Sequence, residues 1–259
     1  MKQEPRAALV TGASSGIGAA VALHLARRGV DVLVNYVQNR AGAEAVATEC
    51  RALGARAGIA QGDVAADADC RALVAAALAE FGRIDYLVNN AGVSKFVAHA
   101  KLDGLDAVDF ARIFAVNVTG AFQMIRAALP ALTASGRGAV VNVASIAGTC
   151  GIGSSVAYAA SKAALLNLTV TLARALAPAV RVNAVAPGFV DTPWHVAGMG
   201  EERYQKALAH VVEGTPLKSV TQPADVADPV VWLLEQAAHV TGEVLHVDAG
   251  LHLRMGQFG

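Results

Sequence analysis

The sequence predicts an α/β fold: a single domain built on a doubly wound, mostly parallel seven-stranded sheet with helices on both faces. Three observations lead there. Short β-like runs alternate with longer helical patterns along the chain, as expected of a parallel sheet whose crossovers cover both sides. Right-handed crossovers then wind the chain outward in both directions. No low-complexity linker or internal repeat divides the 259 residues, a length that one domain can hold.

The elements follow in order. Ala7–Val10 is an apolar strand, followed by a glycine-rich turn and a helix over Gly16–Arg28 that ends at Gly29. Val30, Val32, Leu33 and Val34 form a second strand, and Ala41–Leu53 a helix closed by Gly54. Ala57–Ala60 is a weaker strand. Asp67 is placed to cap a helix that runs to Phe81, with Gly82 after it. Tyr86–Val88 is the fourth strand. One long helix is expected from Asp103 to about Ser135, with a break near its start or at Pro130. Ala139–Val143 is the fifth strand, Val156–Ala177 a helix stopped by Pro178, and Val180–Val185 the sixth strand. A helix over Ala224–Glu235 enters after Pro223, and Val244–Val247 is the last strand. Residues 188–221 are long for a connection, so the segment is expected to hold its own helix around Glu201–Val212 and to act as a substrate lid.

Composition narrows the function. The 21 basic residues equal the 21 acidic ones, so no basic excess marks a nucleic-acid binder. Hydrophobic residues reach 54%, which is too many for a disordered chain. Alanine alone supplies about a fifth of the sequence. The uncharged stretch Gly138–Ser161 is interrupted by polar residues and glycines, so it does not read as a membrane span. Cys50, Cys70 and Cys150 are odd in number and lack metal-ligand spacing. Met1–Pro5 shows no secretory pattern. The expectation is a cytoplasmic enzyme with no metal and neither a nucleic-acid nor a membrane partner.

Two patterns carry chemistry. Thr11-Gly12-Ala13-Ser14-Ser15-Gly16-Ile17-Gly18 joins the first strand to the first helix. Glycines there let a pyrophosphate approach the backbone, and the helix N-terminus offers it unpaired N–H groups. In this strand–turn–helix setting the pattern points to dinucleotide binding. Tyr158 and Lys162 stand four residues apart, one turn along a helix face. A neighbouring ammonium favours phenolate, so Lys162 is expected to lower the Tyr158 pKa and suit it to acid/base work. Ser145, just after the fifth strand, is placed to stabilise a substrate oxygen. Asn117 is an unusual residue for the middle of a helix, and is expected to hold a water against Lys162.

Asn117, Ser145, Tyr158 and Lys162 together resemble, in order and spacing, the catalytic tetrad of the short-chain dehydrogenase/reductase family. Other stations match from about residue 7 to 250. The glycine turn resembles the family's cofactor turn through Gly12, Ser14, Ser15, Gly16, Ile17 and Gly18. Asp63 and Val64 stand where the family holds adenine, and Asn89, Asn90, Ala91 and Gly92 resemble the motif that supports the sheet and lines the nucleotide pocket. Pro187, Gly188, Val190 and Thr192 fall where the family contacts the nicotinamide. Val247-Asp248-Ala249-Gly250 resembles the C-terminal signature, with Ala249 where glycine is usual. The resemblance implies a Rossmann fold, hydride transfer from NAD(P)H to a ketone, proton donation by Tyr158, and Lys162 on the nicotinamide ribose.

The end of the second strand, Val34 to Arg40, has no carboxylate to repel a 2′-phosphate. With Asn35 and Tyr36 at its end and Arg40 and Ser15 near, it resembles NADP-preferring ketoreductases, so NADP(H) is favoured over NAD(H). The branch most resembled is that of the 3-oxoacyl-acyl-carrier-protein reductases. Lys95, Lys101 and Arg203 are candidates for a carrier-protein contact. A sugar, polyol or hydroxysteroid dehydrogenase is the alternative, and a non-catalytic NADP-binding sensor is the reading from another class. Phe96, His99, Cys150, His195 and the tail Leu251–Gly259 are weighed as substrate neighbours, although each is more ordinary as a packing or surface residue. The other histidines show no metal spacing. The family is mostly tetrameric through two long helices, here around Asp106–Leu132 and Val156–Ala177. Their many alanines permit close helix contact, so a homotetramer acting on a small carbonyl or alcohol is expected.

Overall fold

A computed structural model of the chain describes residues 5–254. Seven strands form one sheet in the order β3-β2-β1-β4-β5-β6-β7, every pair parallel. They are β1 (Ala7–Val10), β2 (Asp31–Tyr36), β3 (Ala57–Gln61), β4 (Tyr86–Asn89), β5 (Ala139–Val143), β6 (Arg181–Pro187) and β7 (Val244–Val247). The order reverses between β1 and β4, and the carboxyl ends of these two strands open a crevice there.

Side chains alternate along each strand, so the sheet buries two separate apolar faces. Ala8, Val10, Val32, Val34 and Val88 pack with residues of α1 (Gly16–Arg27), α2 (Arg40–Ala52) and α10 (Pro223–Glu235). Ala7, Leu9, Leu33, Leu87 and Val140 pack with α3 (Asp67–Phe81) and α5 (Ala121–Ala134). A fully buried side chain such as Leu25 or Leu132 contributes roughly 1.5–3 kcal/mol. Much of the alanine lies at these seams, for example Ala22, Ala26, Ala43, Ala47 and Ala227.

The long helix differs from expectation. Leu102–Gly104 forms a separate short turn. Asp106 then starts α4 (Ala107–Phe114) with a capping box to Asp109, which satisfies backbone N–H groups that the helix start would otherwise leave unpaired. A wider π-helical turn, Ala115–Gly120, joins α4 to α5. Pro130 lies inside α5 and does not end it. A proline removes one backbone bond, and here Ala128 and Leu132 on either side are fully buried. Asp67 is not the cap of α3 but its first residue, with Ala66 in the cap position. An acidic side chain suits the first turn as well, because the helix dipole favours it there.

Helix α7 (Val156–Leu176) carries Tyr158 and Lys162. A buried polar chain pins it to the sheet. Asn89 Nδ2 donates to Asn142 Oδ1, Asn142 Nδ2 donates to Thr169 Oγ1, and the Thr169 hydroxyl donates to Leu165 O, at 2.9, 2.9 and 2.8 Å. Helices over Ala107–Ala134 and Val156–Leu176 are long and apolar enough to cross a membrane. In this fold both pack beside the sheet, α5 on β4 and β5 and α7 on β6.

Residues 188–221 contain two helices, α8 (Pro193–Met199) and α9 (Glu201–Gly214). A parallel bridge between Val190 and Thr221 joins the two ends of the segment.

Candidate active site

The turn after β1 is shaped by two glycines in the left-handed region, Gly12 at φ 59° and Gly16 at φ 57°. It is stapled from two sides. Asn35 Oδ1 accepts from Gly12 N at 3.0 Å. Asn90 Nδ2 donates to the carbonyls of Thr11 and Gly12, both at 2.9 Å. Thr11 Oγ1 in turn accepts from the backbone N–H groups of Asn90 and Ala91. Gly18 faces this staple: a Cβ there would stand 2.5 Å from Asn90 Nδ2 and 2.7 Å from Gly12 O. Ser15 caps α1 with extended backbone and makes no side-chain cap bond, so the first N–H groups of α1 lack a side-chain acceptor. This is the cradle that a pyrophosphate needs, and the turn fits a dinucleotide.

A cavity of about 770 Å³ runs from this turn across the carboxyl ends of the strands. Of the residues predicted to bind a cofactor, Gly12, Ser15, Gly16, Ile17, Asn35, Asp63, Val64, Asn90, Ala91, Gly92, Tyr158, Lys162, Pro187, Gly188, Val190 and Thr192 line it. Ser14, Gly18, Tyr36 and Arg40 do not. Tyr36 is buried in the core on the α1 side, because neighbouring positions on a strand face opposite ways. By the same alternation Val37, unmarked in the sequence, lines the cavity with Asn35. Arg40 begins α2, is 74% exposed, and lies 3.8 Å from Glu44. Asn35 also ties strand ends together, since its Nδ2 donates to the carbonyls of Tyr36, Ala60 and Gly62.

Three residues of the predicted tetrad, Ser145, Tyr158 and Lys162, line the cleft, and Asn117 is buried beside it. Ser155 Oγ caps α7 by accepting from Tyr158 N at 3.3 Å, which aims the first turn at the loop after β5. Ser145 sits in that loop, where its Oγ accepts from Ala147 N at 3.1 Å and donates to Pro187 O at 3.4 Å, and it lines the cavity with Tyr158. Lys162 is buried, its Nζ donates to Val143 O at 2.7 Å, and it lies 5.6 Å from the Tyr158 ring centroid. Burial lowers the Lys162 pKa to about 8. Burial likewise pushes the Tyr158 phenol up to about 12, with the neighbouring Ser145 hydroxyl pulling the other way. The lowering expected from Lys162 is not seen: burial of the phenol dominates, and Lys162 is not among the groups that shift it.

Asn117 is held by hydrogen bonds of its own. It lies in the π-helical turn and is buried. Its Oδ1 accepts from Val93 N, while its Nδ2 donates to Val93 O and Ser161 Oγ, at 2.8, 3.0 and 2.9 Å. The side chain thus clamps the loop after β4, near Lys162. Gly92 stands between them: a Cβ there would lie 3.5 Å from Asn117 Oδ1 and 3.7 Å from Lys162 Nζ.

The outer wall is largely aromatic. Phe96, Phe189, Trp194 and His195 all line the cavity. His195 is held low, at about 4, by burial, with Asp191 opposing. Phe189 went unmarked in the sequence, although its place between Gly188 and Val190 was the signal. His99 and Cys150 do not line the cavity, whereas Leu251 does. Residues 255–259 of the tail lie outside the described residues.

Known proteins share this architecture. The family model described as enoyl-(acyl carrier protein) reductase matches residues 12–252. A protein of Streptomyces violaceoruber described as a ketoacyl reductase of the granaticin polyketide synthase is 43% identical, over 96% of this chain and 97% of its own. A 3-oxoacyl-[acyl-carrier-protein] reductase of Staphylococcus epidermidis is 35% identical, over 96% of this chain and 99% of its own. A crystal structure of a short-chain dehydrogenase/reductase from Burkholderia xenovorans superposes with TM-score 0.89 at 41% identity, covering 97% of this chain and all of that one.

Proposed function

Because the chain belongs to the short-chain dehydrogenase/reductase family, NAD(P)-dependent oxidoreductases that interconvert C=O and CH–OH groups on small molecules, we propose that Ser145, Tyr158 and Lys162 reduce a ketone in the cleft described above. The observation that carries this reading is the convergence of Ser145, Tyr158 and buried Lys162 on the same cavity as the glycine turn. When bound, the reduced dinucleotide supplies a hydride, with its electron pair, to the carbonyl carbon. Tyr158 gives its phenolic proton to the carbonyl oxygen as the C=O π bond breaks, which yields a secondary alcohol. Ser145 hydrogen-bonds that oxygen while charge develops on it. The phenolate then regains a proton from solvent, and the Lys162 ammonium stabilises it meanwhile. Asn117 positions the Val93 loop beside this group. The turn from Gly12 to Ile17 and the N-terminus of α1 hold the pyrophosphate, and Asp63 and Val64 border the adenine.

NADP(H) is the preferred cofactor in this reading. Its support is the lack of a carboxylate between Val34 and Arg40, with exposed Ser15 at the lip of the cleft. Asn35 is committed to its backbone partners and Arg40 lies outside the cleft, so neither adds to that support. Fluorescence titration is expected to give a lower Kd for NADPH than for NADH. Tighter NADH binding would overturn the preference.

The buried lysine sets a pH dependence. Lys162 is charged below about 8 and loses its charge above it, while Tyr158, pushed up to about 12, keeps its proton. In ketone reduction, kcat/KM for NADPH, which reports free-enzyme ionisations, is expected to fall as pH rises through that point. A profile still flat well above it would contradict the role given to Lys162.

The remaining assignments extend the same reading. The chain works as one domain, with residues 188–221 as its lid. A homotetramer joined through α4, α5 and α7 agrees with the exposed apolar residues on those helices, among them Val108, Phe110, Phe122 and Val170. Cys50, Cys70 and Cys150 are free thiols, which suits a reducing, cytoplasmic setting.

A further inference from the structure

The part of the cavity beyond Ser145 and Tyr158 is walled by a continuous run of rings. Trp194 lies 5.8 Å from the Tyr158 ring and 4.9 Å from Phe96. His195 packs edge-on against Trp194 at 4.9 Å and stacks on Phe189 at 4.1 Å with an interplanar angle of 15°. The rings come from three segments: the loop after β4, the loop after β6 and the first turn of α8. Phe96 is pinned against α8, where a Cβ on Gly198 would stand 2.0 Å from the Phe96 ring. Trp194 keeps 36% of its surface exposed while bordering the cavity, so its ring is not covered by the protein itself.

The wall is poor in the groups that other ketones require. Among the described residues, Asp63 is the only acidic side chain lining the cavity, and Arg112 pairs with it at 2.9 Å. Asp191, beside the wall in sequence, is occupied by Tyr204 Oη and Gln222 Nε2. A polyhydroxylated sugar would leave its hydroxyls unpaired against such a surface, at a cost in binding. A carrier-linked acyl chain calls for basic residues at the mouth; of the three candidates Lys95 and Lys101 do not line the cavity, Lys95 being paired with Asp109 at 2.7 Å, and Arg203 alone borders it. Aromatic faces instead favour a flat or ring-shaped apolar body in offset or edge-on contact.

Resting on the ketone-reductase reading, we propose that the substrate carries its ketone on or beside an apolar ring, and that Trp194 and Phe96 hold this ring so that the carbonyl reaches Ser145 and Tyr158. Trp194 is then a specificity residue and not a catalytic one.

The test is NADPH consumption by the full chain with cyclohexanone, acetophenone, ethyl acetoacetate and fructose. The two ring ketones are expected to exceed ethyl acetoacetate and fructose in kcat/KM by about tenfold or more. In Trp194→Ala the ratio of ring to open-chain kcat/KM is expected to fall by about tenfold, mainly through KM, and Trp194→Phe to restore most of it. Preference for ethyl acetoacetate or fructose, or an unchanged ratio in Trp194→Ala, would overturn the inference. NADPH binding with no turnover of any of the four would overturn the ketone-reductase reading itself, and the inference with it.

Discussion

Tyr158→Phe is expected to bind NADPH like the parent and to lower kcat by about a hundredfold or more, the usual worth of a positioned proton donor. The substitution removes one oxygen and leaves the ring in place. The neighbours that position the ring are untouched, because Ser155 caps its backbone and Trp194 packs against its face. In the proposed reading cofactor affinity depends on the glycine turn and on Lys162, and neither is altered. What is lost is the proton that quenches the developing alkoxide. Stopped-flow turnover beside a fluorescence titration separates the two effects. Near-parental kcat would remove Tyr158 from the mechanism. A parallel loss of affinity would show that the hydroxyl serves binding instead.

Gly18→Ala is expected to weaken NADPH binding by about tenfold or more, because overpacking a tight site costs roughly 1–3 kcal/mol. Gly18 does not line the cavity, so the effect is indirect. The new Cβ would lie 2.5 Å from Asn90 Nδ2, 2.7 Å from Gly12 O and 2.9 Å from Ala13 Cα. Two of these three atoms are backbone, which cannot swing aside as a side chain can. The turn must open, and the N–H groups that face the pyrophosphate move with it. Titration calorimetry measures the loss, and circular dichroism checks that the sheet is retained. Parental affinity in a folded variant would show that the staple from Asn90 does not shape the phosphate site.

These two residues illustrate what the sequence made legible. The glycine turn and the Tyr158/Lys162 pair are local patterns whose geometry follows from backbone periodicity, and both fall where that periodicity puts them. The seven strands were equally readable as apolar runs between helical patterns, with β2 and β6 extending two residues further, to Tyr36 and Pro187, and β3 and β4 one. Differences arose where tertiary packing decides. Strand alternation, applied strictly, would have turned Tyr36 into the core and brought Val37 to the cleft. The Tyr158 pKa depends on desolvation by distant segments, which no spacing reveals. Asn117 stands out in sequence, but its bonds to Val93 depend on a π-helical turn and on a loop 24 residues away. The aromatic wall was only partly visible, because Phe96 and Trp194 lie far apart in the chain and meet only once α8 folds over the cleft.

The cleft, in the mechanism proposed above, passes hydride to a ketone carbon. The most direct test uses NADPH deuterated at the transferable position, with an accepted ketone, and product analysis by mass spectrometry. The expected product is an alcohol carrying one deuterium on the former carbonyl carbon, formed by the parent and nearly absent with Tyr158→Phe. Cofactor binding without any labelled alcohol, or label lost to solvent before it reaches carbon, would contradict that mechanism.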